Sequence, residues 1–366
     1  MFIFAADLHF RHLTFTTCPD AKFDSIMAFQ KLVQESERLE KLTNAPVPIV
    51  LGGDIWDSVK VHPEILKKVQ GVLAGKSVQI YYINGNHDAV IPSWTEFLPN
   101  THHVSKEVVT LPDGTRLVGL DYVHPKKVQE CLEDYPNDVD FLLTHQFIEA
   151  DVNRMIASSV PAEAYYRFRT VLAGDIHQPG IVNNNVSLVF YPGCLSRCTI
   201  REPESVYMLI SQENIPELGE FTQFNNGYWY ARKKFCIRYL IKIVDNGDPD
   251  FYNVDRLRNL VKGIDPTPYL VLFSDRFDDE DVKRVQTALA GKAHLLFRRK
   301  LTEETSELAL PEQHYEKGNS SARDYALQVL RELDIDRQVK ELAESAIDDT
   351  DKFFEDLTET FNIKNN

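Results

Sequence analysis

At 366 residues and 43% hydrophobic content the chain is long enough for a large core, and its length suggests two domains plus an appendage. A formal charge of −15 would argue against a phosphate-bearing partner, but residues 301–366 alone carry 17 Asp and Glu against 7 Lys and Arg, which leaves the first 300 residues at about −5 and removes that objection. No apolar run approaches the roughly eighteen residues of a membrane helix and the first residues lack a basic n-region, so a cytosolic protein without a membrane partner is expected.

In chain order, Phe2 to Ala6 reads as a short buried strand ending at Asp7-Leu8-His9. Helical spacing of Phe23, Ile26, Phe29, Leu32, Val33 and Leu39 predicts a surface helix over 23–42. Strand 46–51 ends at Gly52-Gly53-Asp54, helix 62–73 follows, and strand 78–83 closely precedes Gly85-Asn86-His87. This strand-helix-strand repeat implies right-handed crossovers and a mainly parallel sheet.

Shorter strands come next, 104–111 and 116–120, joined at the turn signal Pro112-Asp113-Gly114. A helix around 126–132 leads to strand 141–144, which ends at His145, and strand 170–173 ends at Gly174-Asp175-Ile176-His177. Strands 187–191 and 205–210 are expected to pair antiparallel and complete a second sheet. Residues 236–300 read as a small α/β cap with strands 237–244, 269–273 and 294–297, helices 254–261 and 279–289, and a turn at Asp245-Asn246-Gly247-Asp248. Residues 301–366 read as an acidic linker and amphipathic helices, with one stripe through Tyr325, Val329 and Leu333 and another through Phe353, Phe354, Leu357 and Phe361. The domain plan is therefore 1–235 core, 236–300 cap and 301–366 helical segment. Cys18, Cys131, Cys194, Cys198 and Cys236 are scattered without a CxxC pair and read as free thiols.

Five strand ends present metal-type side chains: Asp7 and His9, Asp54, Asn86 and His87, His145, and Asp175 and His177. A lone histidine at a strand end is most often structural, but five such ends in order, mostly beside glycine, suit two divalent ions sharing a bridging carboxylate. Asp-x-His supplies two ligands from one extended segment, since residues i and i+2 of a strand point the same way. Oxygen and nitrogen donors without a thiolate favour manganese, with magnesium or iron as alternatives.

The order Asp7-x-His9, Gly53-Asp54-x-x-Asp57, Gly85-Asn86-His87-Asp88, His145 and Gly174-x-x-His177 resembles the calcineurin-like metallophosphoesterase family. The run from Phe190 to Arg197, Phe-Tyr-Pro-Gly-Cys-Leu-Ser-Arg, is similar to the Tyr-x-Gly-Ser-x-x-Arg segment of SbcD-type nucleases and their bacteriophage recombination-endonuclease relatives, with Cys194 where that pattern has Ser. The resemblance implies a four-layer α/β/β/α sandwich. It implies one metal held by Asp7, His9, Asp54 and His177, and a second held by Asp54, Asn86, His145 and Asp175. His87 is then the catalytic imidazole facing the phosphate, and Asp57 a residue supporting it. Where the family usually has Gly-His-x-His, this chain has Asp175, and the extra carboxylate should bind the second ion more tightly.

The expected reaction is attack by a metal-bridging hydroxide on a phosphodiester of DNA, exonucleolytic or endonucleolytic. The resemblance implies a repair or recombination complex in which an SbcC-type coiled-coil ATPase binds the carboxyl-terminal helices, with a homodimer expected. Aromatics interleaved with cations in Tyr228, Trp229, Arg232, Lys233 and Lys234, and again in Tyr165-Tyr166-Arg167-Phe168-Arg169, together with Arg197, are candidates for DNA contact. The rival readings are a free-standing phosphomonoesterase or cyclic-nucleotide phosphodiesterase on the same core, and a scaffold subunit with an impaired metal site.

Overall fold

The computed structural model describes residues 1–298 other than 20, 149–158, 185, 201, 203–204, 225–226, 236, 248–249 and 277. The expected tail helices and Cys236 lie outside the described residues. Residues Met1–Lys300 form one compact unit.

Three of the four parallel strands of the first sheet form where apolar β-branched and aromatic runs predict them, and the fourth, Thr101–His103, is not among the expected strands. Strands β1 (Phe2–Ala5), β2 (Ile49–Leu51), β3 (Ile80–Tyr82) and β4 (Thr101–His103) lie side by side and parallel. Helices α1 (Asp24–Thr43) and α2 (Pro63–Leu73) make the crossovers, and their apolar stripes, Ile26, Phe29, Leu32 and Val33 on α1 and Ile65, Val69 and Leu73 on α2, are buried. Alternation along β1 divides its side chains between two cores: Ile3 and Ala5 pack with the helices, whereas Phe2 and Phe4 face the second sheet.

That second sheet has strand order β5-β6-β7-β8-β10-β9, built from β5 (Val108–Thr110), β6 (Arg116–Leu120), β7 (Phe141–His145), β8 (Thr170–Gly174), β9 (Gly180–Asn183) and β10 (Leu188–Tyr191). The expected hairpin between β5 and β6 is present as an antiparallel pair. Phe141, Leu143, Leu172 and Phe190 meet Phe2, Phe4 and Val50 between the sheets. Each such fully buried apolar side chain contributes about 1.5–3 kcal/mol. Helix α3 (Val128–Glu133) covers the outer face through Val128 and Leu132, which completes the α/β/β/α layering.

One pairing differs from expectation. Strand β10 runs parallel to β8, and β11 (Ser205–Ser211) leaves that sheet altogether to pair antiparallel with β1 in the first. The Pro192–Glu202 loop makes this crossing, held at its start by a bridge between Ala6 and Cys194 and by the Leu195 N–H donating to the Ala6 carbonyl at 3.2 Å. Local pattern carries no information about which sheet a strand joins, and here the choice lays a loop across the rim where β1 ends. Strands β12 (Thr222–Gln223) and β13 (Trp229–Phe235) then complete the seven-stranded first sheet.

The cap is a separate parallel sheet of β14 (Leu240–Val244), β15 (Tyr269–Phe273) and β16 (His294–Arg298) with α4 (Val254–Val261) and α5 (Asp279–Leu289) on one face. Its other face, Tyr269, Val271 and Leu296, packs on Phe15, Cys18 and Ala21. Buried Asp24 pins the contact, accepting from the Tyr269 hydroxyl at 2.6 Å and the Arg238 guanidinium at 2.7 Å.

Candidate metal centre

The carboxyl ends of β1, β2 and β3 in one sheet face those of β7 and β8 in the other, and Asp7, His9, Asp54, His87, His145, Asp175 and His177 meet there. Asp54 is the common vertex. Its Oδ2 lies 3.4 Å from His145 Nε2, 3.7 Å from His9 Nε2 and 3.9 Å from His87 Nε2. Asp7 Oδ1 is 3.8 Å from His177 Nε2, Asp175 Oδ1 is 3.9 Å from His145 Nε2, and the Nε2 atoms of His9 and His177 are 3.3 Å apart. The ligand atoms of Asp7, Asp54 and His145 all lie within 4.8 Å of one another. Asn86 stands exposed on the rim beside His87.

The backbone reason for this convergence differs from the expected one. Asp7 and His9 do not lie on extended chain: β1 stops at Ala5, and both residues are left-handed, with φ of 53° and 46°. Asp54 and Asp175 share that conformation, at 49° and 79°. Left-handed backbone is uncommon outside glycine and gathers at functional sites, where the surrounding structure holds it. Here it turns four side chains into one small volume just beyond the strand ends. Gly85 allows the close approach, because a Cβ there would lie 2.1 Å from Asp54 Oδ1, and the neighbouring His87 N–H donates to that same oxygen at 2.9 Å. Buried Asp88 ties the β2 and β3 ends together by accepting from the N–H groups of Ile55, Trp56 and Gly85 at 2.9–3.1 Å.

Three of the imidazoles are oriented from behind. His145 Nδ1–H donates to the Gly52 carbonyl at 2.7 Å, and His87 Nδ1–H donates to the Asp57 carbonyl at 2.9 Å, so each leaves Nε2 facing the cluster. His177 Nδ1 is held at 2.7 Å by Glu202 Oε1. Glu202 was not legible in the sequence. It lies 25 residues from His177 on the crossing loop, where its other oxygen accepts from the N–H groups of Cys198 and Thr199 and from the Cys194 thiol. Cys194, which replaces the expected serine, therefore supports this carboxylate. Arg11 was missed as well: its guanidinium donates to Asp57 Oδ1 at 3.1 Å and to the Arg197 carbonyl at 2.9 Å, tying the first turn to the crossing loop.

Electrostatics follow from burial and crowding. Burial raises the Asp7 carboxyl to about 7 and lowers the His9 imidazole to about 3. Burial opposes charge on both Asp54 and His145, yet their mutual attraction across 3.4 Å holds Asp54 at about 2 and His145 at about 10. Asp175 is raised by burial, and His177 by its bond to Glu202. Buried Asp7 Oδ2, His9 Nδ1 and His145 Nε2 have no hydrogen-bond partner. Unpaired buried polar atoms are costly, and Asp7 Oδ2 and His145 Nε2, orphaned among carboxylates and imidazoles, fit a donor set for divalent cations.

The candidate DNA contacts are dispersed. Tyr228 is only 6% exposed and packs edge-on against Phe141, with its hydroxyl donating to Thr115 at 3.2 Å, so it is a core residue. Trp229 pairs in register with Ser211, one step beyond the Ile210–Phe2 pair, which puts it at the end of the sheet opposite Asp7. Lys233 donates to the Leu218 carbonyl, while Arg232 and Lys234 are exposed on β13. Tyr165 and Phe168 are core residues, and Arg167 donates to the Leu132 carbonyl at the end of α3. Arg197 lies on the crossing loop, where its guanidinium donates to the Glu202 carbonyl, and it lines with Arg238 and Tyr239 a cleft of about 100 Å³ between that loop and the cap. The four described cysteines are free thiols.

Two facing sheets that bring carboxylates and imidazoles to one rim define a phosphoesterase of the kind that uses divalent metals. The chain belongs to the calcineurin-like phosphoesterase superfamily, whose domain model matches residues 2–214. It is 26% identical over 222 residues to "Putative phosphoesterase 244L" of Invertebrate iridescent virus 6, covering 56% of this chain and 76% of the viral protein. Among solved structures it is similar to a "Putative 5'-Nucleotidase" of Staphylococcus aureus (11% identity, TM-score 0.35, 57% of this chain) and spans 49% of that protein's length. It is also similar to Vps29 of Entamoeba histolytica (14% identity, TM-score 0.29, covering 64% of this chain and 99% of that one). No helix among the described residues is long and apolar enough to cross a membrane.

Proposed function

We propose that the protein is a two-metal-dependent DNA nuclease that hydrolyses phosphodiester bonds. The observation that carries the reading is Asp54 Oδ2, which stands within 3.4–3.9 Å of three imidazoles and can serve two ions at once. Asp7, His9, Asp54 and His177 would hold one ion, and Asp54, His145, Asp175 and Asn86 the other. When bound, such a pair supplies Lewis acidity at a phosphoryl group and lowers the pKa of water.

The remaining steps belong to the chain. His87, with its side chain 42% exposed at the edge of the cluster, points Nε2 toward the position a scissile phosphate would take. Its Nδ1–H is fixed by the Asp57 carbonyl, so a protonated ring can donate from Nε2 to a leaving oxygen without reorienting. Arg11 holds Asp57 in place. The DNA assignment draws its support from the Tyr-x-Gly-Cys-x-x-Arg run, which crosses the rim beside His177 and carries Arg197 to the cleft. Manganese is the favoured metal on donor type. An SbcC-type ATPase bound through residues 301–366, and a homodimer, complete the proposed assembly.

The test compares manganese-dependent turnover of linear duplex DNA, single-stranded DNA, bis-p-nitrophenyl phosphate and p-nitrophenyl phosphate by the protein and by His87→Asn. Cleavage of DNA, reduced about 10²- to 10⁴-fold in the variant, supports the nuclease reading. Turnover confined to the small diester or the monoester replaces it with a free-standing phosphodiesterase or phosphatase. Metal binding without turnover of any substrate replaces it with a scaffold.

A further inference from the structure

The crossing loop brings one sulfur into a cluster otherwise made of oxygen and nitrogen. The ligand atoms of His9, His177 and Cys198 all lie within 4.8 Å of one another, although Cys198 is 189 residues from His9. The Nε2 atoms of His9 and His177 are 3.3 Å apart, which is about the separation of two imidazole nitrogens on one tetrahedral ion with bonds of roughly 2.0–2.1 Å. Cys198 is anchored as firmly as His177, and by the same group. Its N–H donates to Glu202 Oε2, while His177 Nδ1 is held by Glu202 Oε1. A single carboxylate thus sets the positions of the thiol and the imidazole together.

Two further features orient the sulfur as a donor. Its S–H lies 3.5 Å from the Ser196 carbonyl, and although burial raises the thiol to about 12, the Arg11 guanidinium beside it works in the opposite direction, toward the thiolate. His9, with a side chain 5% exposed, leaves Nδ1 buried without a hydrogen-bond partner, 3.6 Å from Asp57 Oδ1. A thiolate at this point changes the metal preference of that half of the centre, because soft sulfur favours zinc and cadmium over manganese and magnesium.

We propose that Cys198 is an additional, thiolate ligand to the ion held by His9 and His177, making that position a soft-metal site beside a harder one. The inference rests on the cluster being a metal centre. The expectation that the ligand set contains no thiolate is thereby revised for one of the two ions.

The experiment titrates the full chain with Cd2+ and, separately, with Mn2+, following the ultraviolet thiolate-to-cadmium absorption and the binding isotherm. The expected result is a thiolate band that saturates with the first equivalent of Cd2+, persists in Cys194→Ser and is lost in Cys198→Ser. Cd2+ affinity should fall by more than about tenfold in Cys198→Ser, and by a larger factor than Mn2+ affinity does. Retained Mn2+ binding also reports that the variant is folded. A second readout uses the unsubstituted protein: Cd2+ should slow iodoacetamide labelling of Cys198, read by peptide mass, and leave Cys131 unchanged. Cd2+ binding without a thiolate band, or labelling of Cys198 that ignores Cd2+, overturns the proposal and leaves the metal centre standing. Failure of both metals to bind overturns the metal centre itself.

Discussion

Glu202 holds His177, gripping its Nδ1 at 2.7 Å from a loop that crosses between the two sheets. A carboxylate behind a metal-binding imidazole fixes its tautomer and raises its basicity, and losing such a partner costs about 10- to 100-fold in metal affinity or activity. Glu202→Ala should fall in that range, and Glu202→Gln, which keeps an acceptor but loses the charge, at its lower end. Manganese titrations of both variants by calorimetry check this, and unchanged affinity in Glu202→Ala would sink it.

Asp175 is the position that departs from the family pattern. Asn tolerates its left-handed backbone, φ 79°, so Asp175→Asn should fold normally while losing the carboxylate that stands 3.9 Å from His145. The expected outcome is a second metal weakened by more than about tenfold with the first unaffected. Metal analysis at increasing manganese concentration measures it, and two equally tight sites in the variant would contradict the assignment.

Protons compete with metal at this centre. The Asp7 carboxyl at about 7 and the His145 imidazole at about 10 both carry protons in part or in full at neutral pH, and both must lose them to act as ligands. Metal binding at pH 7 should therefore release protons and tighten as pH rises, which calorimetry in buffers of different ionisation enthalpy detects. Stability of the metal-free protein should move the other way. His145 is raised from 6.5 to about 10, so its contribution is complete below 6.5 and is lost as pH climbs through about 10. Between pH 7 and 9 the metal-free melting temperature should fall, and a rise would refute the charge assignment.

Two glycines make a matched pair. Gly85→Ala drives a Cβ to within 2.1 Å of Asp54 Oδ1, so it should displace the shared ligand and cut activity by at least about 100-fold, since small misplacements at a site have that effect. Gly71, inside α2 with open space around it, should accept alanine with a gain of about 0.4–1 kcal/mol. Denaturant melts and turnover of both variants read the two effects separately, and a fully active Gly85→Ala would show that Asp54 is not confined as described.

By itself, the sequence determined which residues end the strands. Short apolar runs followed by glycine and a carboxylate, amide or imidazole are local signals, so Asp7, Asp54, His87, His145 and Asp175 were legible one by one, and their order pointed to the family. Tertiary structure decided everything that depends on which distant segments meet. It moved β11 from the second sheet to the first, and that crossing carried Glu202, Cys194 and Cys198 to a rim where no spacing rule places them. It replaced an extended Asp-x-His with two left-handed turns, because the chain must fold back at the strand end to aim both side chains at one point. It buried Tyr228 and set Trp229 at the far end of the sheet, because register along β13, which local composition does not encode, determines which end of a strand faces the site. Hydrogen bonds between side chains remote in sequence leave no periodic trace, so the partners that orient the ligands appear only once the chain is folded.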